Sequence, residues 1–379
     1  MNTSFQAVCE AAAIEWSVPA IAAGTIVGGR ERVVAVGCDA GARFRVASVT
    51  KPFTALLALS LLDAEEQTGI WPPDVRVRHL LSHTSGYDCE LAERDLARFG
   101  DGDGALASVV AELPAVRRYV GVEQVWSYAN TGYWLAGHLA AEHAGTTYEE
   151  ALAERVLGPF GLEATGFGEP DLATCDPEAD EGPYPRARRP SGGLVSTVAD
   201  LLRFGRRLLA EPLGARLRIV HGKPVGGVYG LGLFGERVGG AEVWGHPGSY
   251  GGFESSLLVV PEREAVFVGL TNSPRGGKAL YDVENAFFEE AIGARRREAD
   301  FVEAPVEAFT GSYANSDGWY EVAAAGDGAL VTWDDQEYRA RAIGERTFQV
   351  VEGDKLRSRF DFPLEGFGRF GSRLAERIA

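Results

Sequence analysis

The chain has 379 residues, of which 45% are hydrophobic and 24% charged, and its formal net charge is −17. That length predicts two or three domains, and the composition is that of an ordinary soluble globular protein, neither disordered, fibrous nor repetitive. The acidic balance argues against nucleic acid and anionic membrane surfaces as partners, because phosphate binding needs clustered Lys and Arg. No apolar run reaches bilayer length, and the N-terminal MNTSFQAVCEAAAIEW lacks the basic-then-apolar order of a secretory signal. Cys9, Cys38, Cys89 and Cys175 form no C-x-x-C pair, which predicts buried free thiols in a reducing, cytoplasmic setting.

Residues 19–27 and 32–36 are apolar and β-branched on either side of Gly28-Gly29, a hairpin pattern. Pro52 then opens FTALLALSLLDAEEQ, a helix with proline in its first turn, where the missing N–H costs nothing. From about 79 to about 209 the chain reads as mostly helical. TGYWLAGHLAAEHAG ends at Gly145, and Thr146 or Thr147 caps YEEALAERVL, which Gly158-Pro159 should break. Residues 170–190, rich in Pro, Asp and Arg, predict an irregular loop, and Ser196-Thr197 starts the helix ADLLRFGRRLL. VYGLGLF, AEVWG, ESSLLVV and AVFVGL follow as strands, then a helix over about 278–297.

Strands on both sides of a helical middle predict an α+β fold over residues 1–300. It would be an antiparallel sheet with flanking helices and a helical subdomain at about 60–190. Beyond about 304, YEVAA, ALVTW, YRARAI, TFQVV and LRSRFDF predict a separate small β domain, a meander or barrel over 301–379. The charged ARRREAD marks the boundary.

Lysine usage singles out one position. Of 37 Lys plus Arg, lysine stands only at 51, 223, 278 and 355. Arginine cannot lose its proton in a protein, whereas a buried lysine can and then acts as a base. Lys51 follows Ser48 by three residues, in the only Ser-x-x-Lys of the chain. Three residues on a helix share a face, and the helix N-terminus favours an anionic oxygen and a neutral amine. This is how a serine nucleophile is activated. The plainer alternative is a serine cap followed by an exposed lysine. Other motifs fail on context. Gly230-Leu-Gly-Leu-Phe-Gly235 has extended, Gly-rich sequence after it where a dinucleotide site needs a helix. No G-x-S-x-G or phosphate-binding loop exists, and His79, His138, His143 and His221 have no metal spacing, so neither cofactor nor metal is expected.

FRVASVTKPFTALLALSLL, VRVRHLLSHTSG, WSYANTGYWLAGHLAAEHAGTTYEEALAERVLGPFGL, SGGLVSTVADLLRFGRRLL and GHPGSYGGFESSLLVVPEREAVFVGLTNS occur in that order over about residues 18–273. Together they resemble the serine β-lactamase/penicillin-binding-protein superfamily, in particular its class C β-lactamase-related branch, which also holds esterases, DD-peptidases and D-aminopeptidases. The resemblance implies a β-lactamase/transpeptidase-like fold, with Ser48 as nucleophile, Lys51 as base and Tyr128 sharing the proton with Lys51. It implies that Asn130 bonds the lysine and the substrate carbonyl. His246-Pro247-Gly248 stands where many relatives carry Lys-Thr-Gly, and the N–H groups of Ser48 and Ser249 would form the oxyanion hole. Gly248 would keep that strand open to substrate.

A free phenol has a pKa of about 10, so Tyr128 as a base implies the Lys51 cation beside it. His246, partly charged near neutral pH, would anchor a carboxylate only weakly, which favours an ester or amide without one. The resemblance gives His83 a hydrogen-bonded structural role. Tyr313-Ala-Asn315 repeats the letters of the second motif in the C-terminal β segment and is assigned no catalytic part. The expected function is a serine hydrolase that forms an acyl-enzyme at Ser48 on a small ester, amide or peptide. Alternatives are a β-lactamase, DD-peptidase or D-aminopeptidase on the same scaffold, or a binding or sensor protein that acylates without turnover.

Overall fold

The structure, a computed structural model, describes residues 4–91, 96–180, 182–333, 336–351 and 358–379. Gly28 and Gly29 turn the chain with φ of 55° and 75°, a region open to glycine, and join Ile21–Val27 to Arg30–Val36 in antiparallel register. These strands form one side of a seven-stranded antiparallel sheet. Across it follow Ala265–Thr271, Phe253–Val260, Ala241–Tyr250, Phe234–Val238 and Val228–Tyr229. Ile21 lies opposite Thr271, so strands from near the start of the chain and from about residue 270 pair within one sheet.

Alternation sends the side chains of each strand to two cores. One face packs on Gly276–Ile292 and the N-terminal helix Phe5–Glu15, with Phe267, Phe287 and Phe288 between them. The other packs on Val198–Ala210 and, behind it, Thr50–Leu61. The latter helix is apolar all round because it is enclosed all round: every residue from Thr50 to Leu59 is buried. Phe53 stacks on Phe204 with centroids 3.6 Å apart, fixing one helix on the other.

The remaining helices show where local signals hold and where they fail. Thr147 makes a reciprocal capping box with Glu150. Gly158-Pro159 does not end the helix that follows. The chain widens into a π turn over Ala153–Leu157, which places Pro159 in the first turn of the next short helical piece, where no N–H is needed. The stop is Gly161, at φ 66°. VYGLGLF is not one strand either, since only Val228–Tyr229 pairs before Phe234–Val238 begins. A small sheet of Phe44–Arg45, Leu194–Ser196 and Gly166–Phe167 was not foreseen, as strands of two or three residues carry no periodicity. Cys9 and Cys89 are buried as expected, whereas Cys175 is exposed and Cys38 only partly covered.

Eight strands from Gly311–Ala314 to Arg373–Arg377 close into a barrel, Tyr313 of the first lying opposite Arg377 of the last. Closure leaves no open edge, and phenylalanines 348, 360, 362 and 370 fill the interior. The expected strand LRSRFDF begins at residues outside those described; the observed strand is Arg359–Leu364. Tyr313 donates to Phe309 O at 2.8 Å and Asn315 to Leu374 O at 3.0 Å, so the repeated Tyr-Ala-Asn letters serve the barrel. The ARRREAD stretch is not a loose tether, because Arg296 is tied to Glu236 at 2.6 Å and to Glu284. Among the described residues no helix is long and apolar enough to cross a membrane.

Candidate active site

Ser48 sits in a single 3-10 turn, Ala47–Val49, that runs directly into the buried helix. Ala47 holds φ 45°, a conformation that costs a residue with a Cβ about 1–2 kcal/mol. The turn is held from outside: Val46 N–H donates to Leu194 O at 3.0 Å, and Leu194 N–H donates to Thr50 Oγ1 at 3.2 Å. The small three-stranded sheet therefore aims the serine.

Lys51, one turn along, is fully buried. Its Nζ lies 3.1 Å from Ser48 Oγ and donates to Ser191 O at 2.7 Å. Burial holds the ammonium well below the ordinary lysine range; Glu90 opposes this, and Arg373 and Arg188 add to it. Tyr128 donates to the same Ser48 Oγ at 2.9 Å, and its ring passes 4.7 Å from Lys51 Nζ. Burial raises the phenol above its ordinary value. Burial thus disfavours both the ammonium and the phenolate, whereas the sequence reading set Tyr128 as a base beside the Lys51 cation.

His246 lies within the site strand Ala241–Tyr250 and is buried among Tyr128, Tyr229 and Phe234. Its Nδ1–H donates to Pro247 O at 2.6 Å, which leaves Nε2 as an unpartnered acceptor. Burial, then the charge of Lys51, push its pKa down to about 3. The expected partial charge near neutral pH is absent, so His246 is an aromatic wall and no titrating anchor. Gly248 explains its own identity: a Cβ there would strike Val46 O and Ser255 Oγ and lie 3.0 Å from the Ser48 amide N. Ser249, the next residue, pairs with Glu254 in register, and its hydroxyl donates to that carboxyl at 2.6 Å. Burial raises Glu254 to about 8.

Asn130 begins the helix Asn130–Ala144 close to Tyr128, but its amide turns away from Lys51. It donates to Glu90, which also accepts from Arg188 at 3.1 Å, and Asn130 Oδ1 is buried without a partner. The lysine instead meets the Ser191 carbonyl, a group no side-chain motif reveals.

The C-terminal barrel enters this site. Tyr128 N–H donates to Ser372 O at 2.9 Å, Leu374 N–H to Ser127 Oγ at 3.0 Å, and Arg369 to Trp126 O at 2.8 Å. Arg373, ion-paired with Asp317, stands 5.9 Å from the Tyr128 ring. A cavity of about 540 Å³ opens between the barrel and the site strand, lined in part by Phe234, His246, Pro247, Glu254, Arg359 and Ser372.

A serine bonded to a buried lysine and a buried tyrosine, beside a sheet strand that carries glycine at 248, defines the serine β-lactamase/penicillin-binding type of site and fold. A family model described as Beta-lactamase matches residues 5–288, and the chain belongs to that family. Penicillin-binding protein 4 of Amycolatopsis lactamdurans is 28% identical over 305 residues, covering 67% of this chain and 78% of that protein. The crystal structure of SurE with D-Leu superposes with a TM-score of 0.78 at 22% identity, over 99% of this chain and 98% of that one. A D-stereospecific amidohydrolase from Streptomyces sp. gives a TM-score of 0.62 at 25% identity, over 76% of this chain and 99% of its own. The SurE likeness, which extends through the barrel, is one of fold.

Proposed function

We propose that the protein hydrolyses an amide, peptide or ester through an acyl-enzyme at Ser48. The observation that carries the proposal is the convergence of Lys51 Nζ and Tyr128 OH on one oxygen, Ser48 Oγ, at 3.1 and 2.9 Å. Neutral Lys51 takes the Ser48 proton as Oγ attacks the carbonyl. The oxyanion forms against the N–H groups of Ser48 and Ser249, beside Gly248, where losing one such donor costs about 3 kcal/mol. Tyr128 hands a proton to the leaving group and is reprotonated by the proton that Lys51 took from Ser48; in deacylation the pair takes a proton from the attacking water and returns one to Ser48 Oγ as the acyl bond breaks. Asn130 Oδ1, buried and unpartnered, supplies an acceptor for a substrate N–H in this scheme. No cofactor takes part in these steps.

An amide derived from an amino acid is the first substrate class to try. A D-amino acid amidase and a D-stereospecific amidohydrolase are among the similar structures. The test is intact mass after a fluorophosphonate probe, with Ser48→Ala in parallel, then turnover of D- and L-amino-acid amides, p-nitrophenyl esters and nitrocefin. One adduct, lost in S48A, with turnover of an amide or ester is expected. Turnover that survives in S48A, or a wild type that neither labels nor turns over, overturns the proposal. Labelling with a burst and no turnover would support the sensor alternative.

A further inference from the structure

Five residues before Asp88, His83 adopts φ 59°, in the left-handed region, and is fully buried. Outside glycine, that conformation is uncommon except for Asn, Asp and His. Its ring packs against Tyr133 and Tyr229 as well as Tyr128, but both of its hydrogen bonds go to one segment. The His83 carbonyl accepts from Ser127 N–H at 3.0 Å, and its Nδ1 accepts from Ala129 N–H at 3.0 Å. The residue between those two donors is Tyr128. The His83 ring also lies against the Tyr128 ring, centroids 4.3 Å apart. Because Nδ1 accepts, the ring proton sits on Nε2, and burial holds the His83 pKa well below the ordinary histidine range. The barrel holds the opposite side of the same segment through Ser372 and Leu374.

We propose that His83 is a positioning residue for Tyr128: it clamps the backbone amides of the residues before and after the tyrosine, Ser127 and Ala129, and so fixes the phenol on Ser48 Oγ. The proposal rests on the acyl-enzyme reading above. It goes beyond a structural histidine, because the clamp requires an acceptor at the Nδ1 position and a residue that tolerates positive φ, and two substitutions separate these needs. His83→Gly accepts the backbone conformation and removes the acceptor. His83→Asn accepts the conformation and returns an amide oxygen close to where Nδ1 stood.

The experiment measures kcat, KM and the pH profile of H83G and H83N in the full chain, alone and combined with Tyr128→Phe, on whichever substrate the wild type turns over. H83G is expected to lose about a hundredfold in kcat, the scale of a catalytic group displaced by about 1 Å, with KM little changed. H83N is expected to keep kcat within a few-fold and the wild-type pH profile. In the Y128F background H83G should cost nothing further, since the group it positions is gone. Wild-type turnover in H83G, a loss in H83N equal to that in H83G, or a full further loss in the double variant overturns the proposal. If H83G does not fold, H83N decides alone: near-normal turnover and pH profile sustain the clamp, and a hundredfold loss refutes it. A failure of the acyl-enzyme reading shows separately, as an inactive or unlabelled wild type.

Discussion

Replacing Lys51 by methionine separates what the lysine does for chemistry from what it costs the fold. Methionine is unbranched, of similar length and uncharged, so it can follow the same path through the helix packing. Removing a general base costs about 10²–10⁴-fold in rate, or about 3–5 kcal/mol of transition-state stabilisation. Stability should move the other way at low pH. Since burial lowers the Lys51 pKa, the unfolded chain binds more protons than the native one between the folded pKa and about 10.4. The wild type therefore gains stability as pH rises through that window, and its handicap against K51M is greatest at the acid end. Against this gain, Ser191 O loses its 2.7 Å donor, worth about 1 kcal/mol. Urea unfolding of both proteins from about pH 6 to about pH 10 measures the difference. Turnover should vanish in K51M, while its stability advantage shrinks steadily with rising pH. A variant whose relative stability improves as pH rises would refute the argument that burial lowers the Lys51 pKa.

Two further outcomes follow from the charges around the site. Arg373→Met removes a cation that lowers the Lys51 pKa, so the acid limb of the kcat–pH profile should move to higher pH; a limb that stays or moves down contradicts this. Glu254→Gln should leave stability unchanged below pH 4.5 and raise it increasingly up to about 8, because burying a carboxyl that must ionise costs stability across that interval. Equal stability of E254Q and wild type at about pH 9 would show that Glu254 is not buried as an acid.

Ser48 and Lys51 were legible because activating a serine restricts both residue types at a fixed helical spacing. The sheet was legible because β-branched runs alternate with Gly and Pro turns. The charge state of His246 was not, since it depends on the enclosure by Tyr128, Tyr229 and Phe234, which no local pattern encodes. The role of Asn130 was taken from a resemblance, and this chain differs where Glu90 claims the amide. Arg373 was invisible for a simpler reason: in so arginine-rich a chain, no single arginine stands out until folding brings one, from more than two hundred residues away, to the tyrosine. Gly158-Pro159 misled because a π turn can absorb a proline that an α-helix cannot.

The barrel has its own aromatic core, separate from the two that hold the hydrolase sheet. Between them lie a small cluster around Val120, Val125 and Leu374 and the polar bonds to residues 126–128. Heat is therefore expected to act at this joint before it acts on a core. Loosening that joint would free Tyr128 while Ser48 and Lys51 stay in their helix, so thermal inactivation is expected to show its own midpoint below the melting of the sheet and to reverse on cooling, as parallel activity and unfolding scans would show.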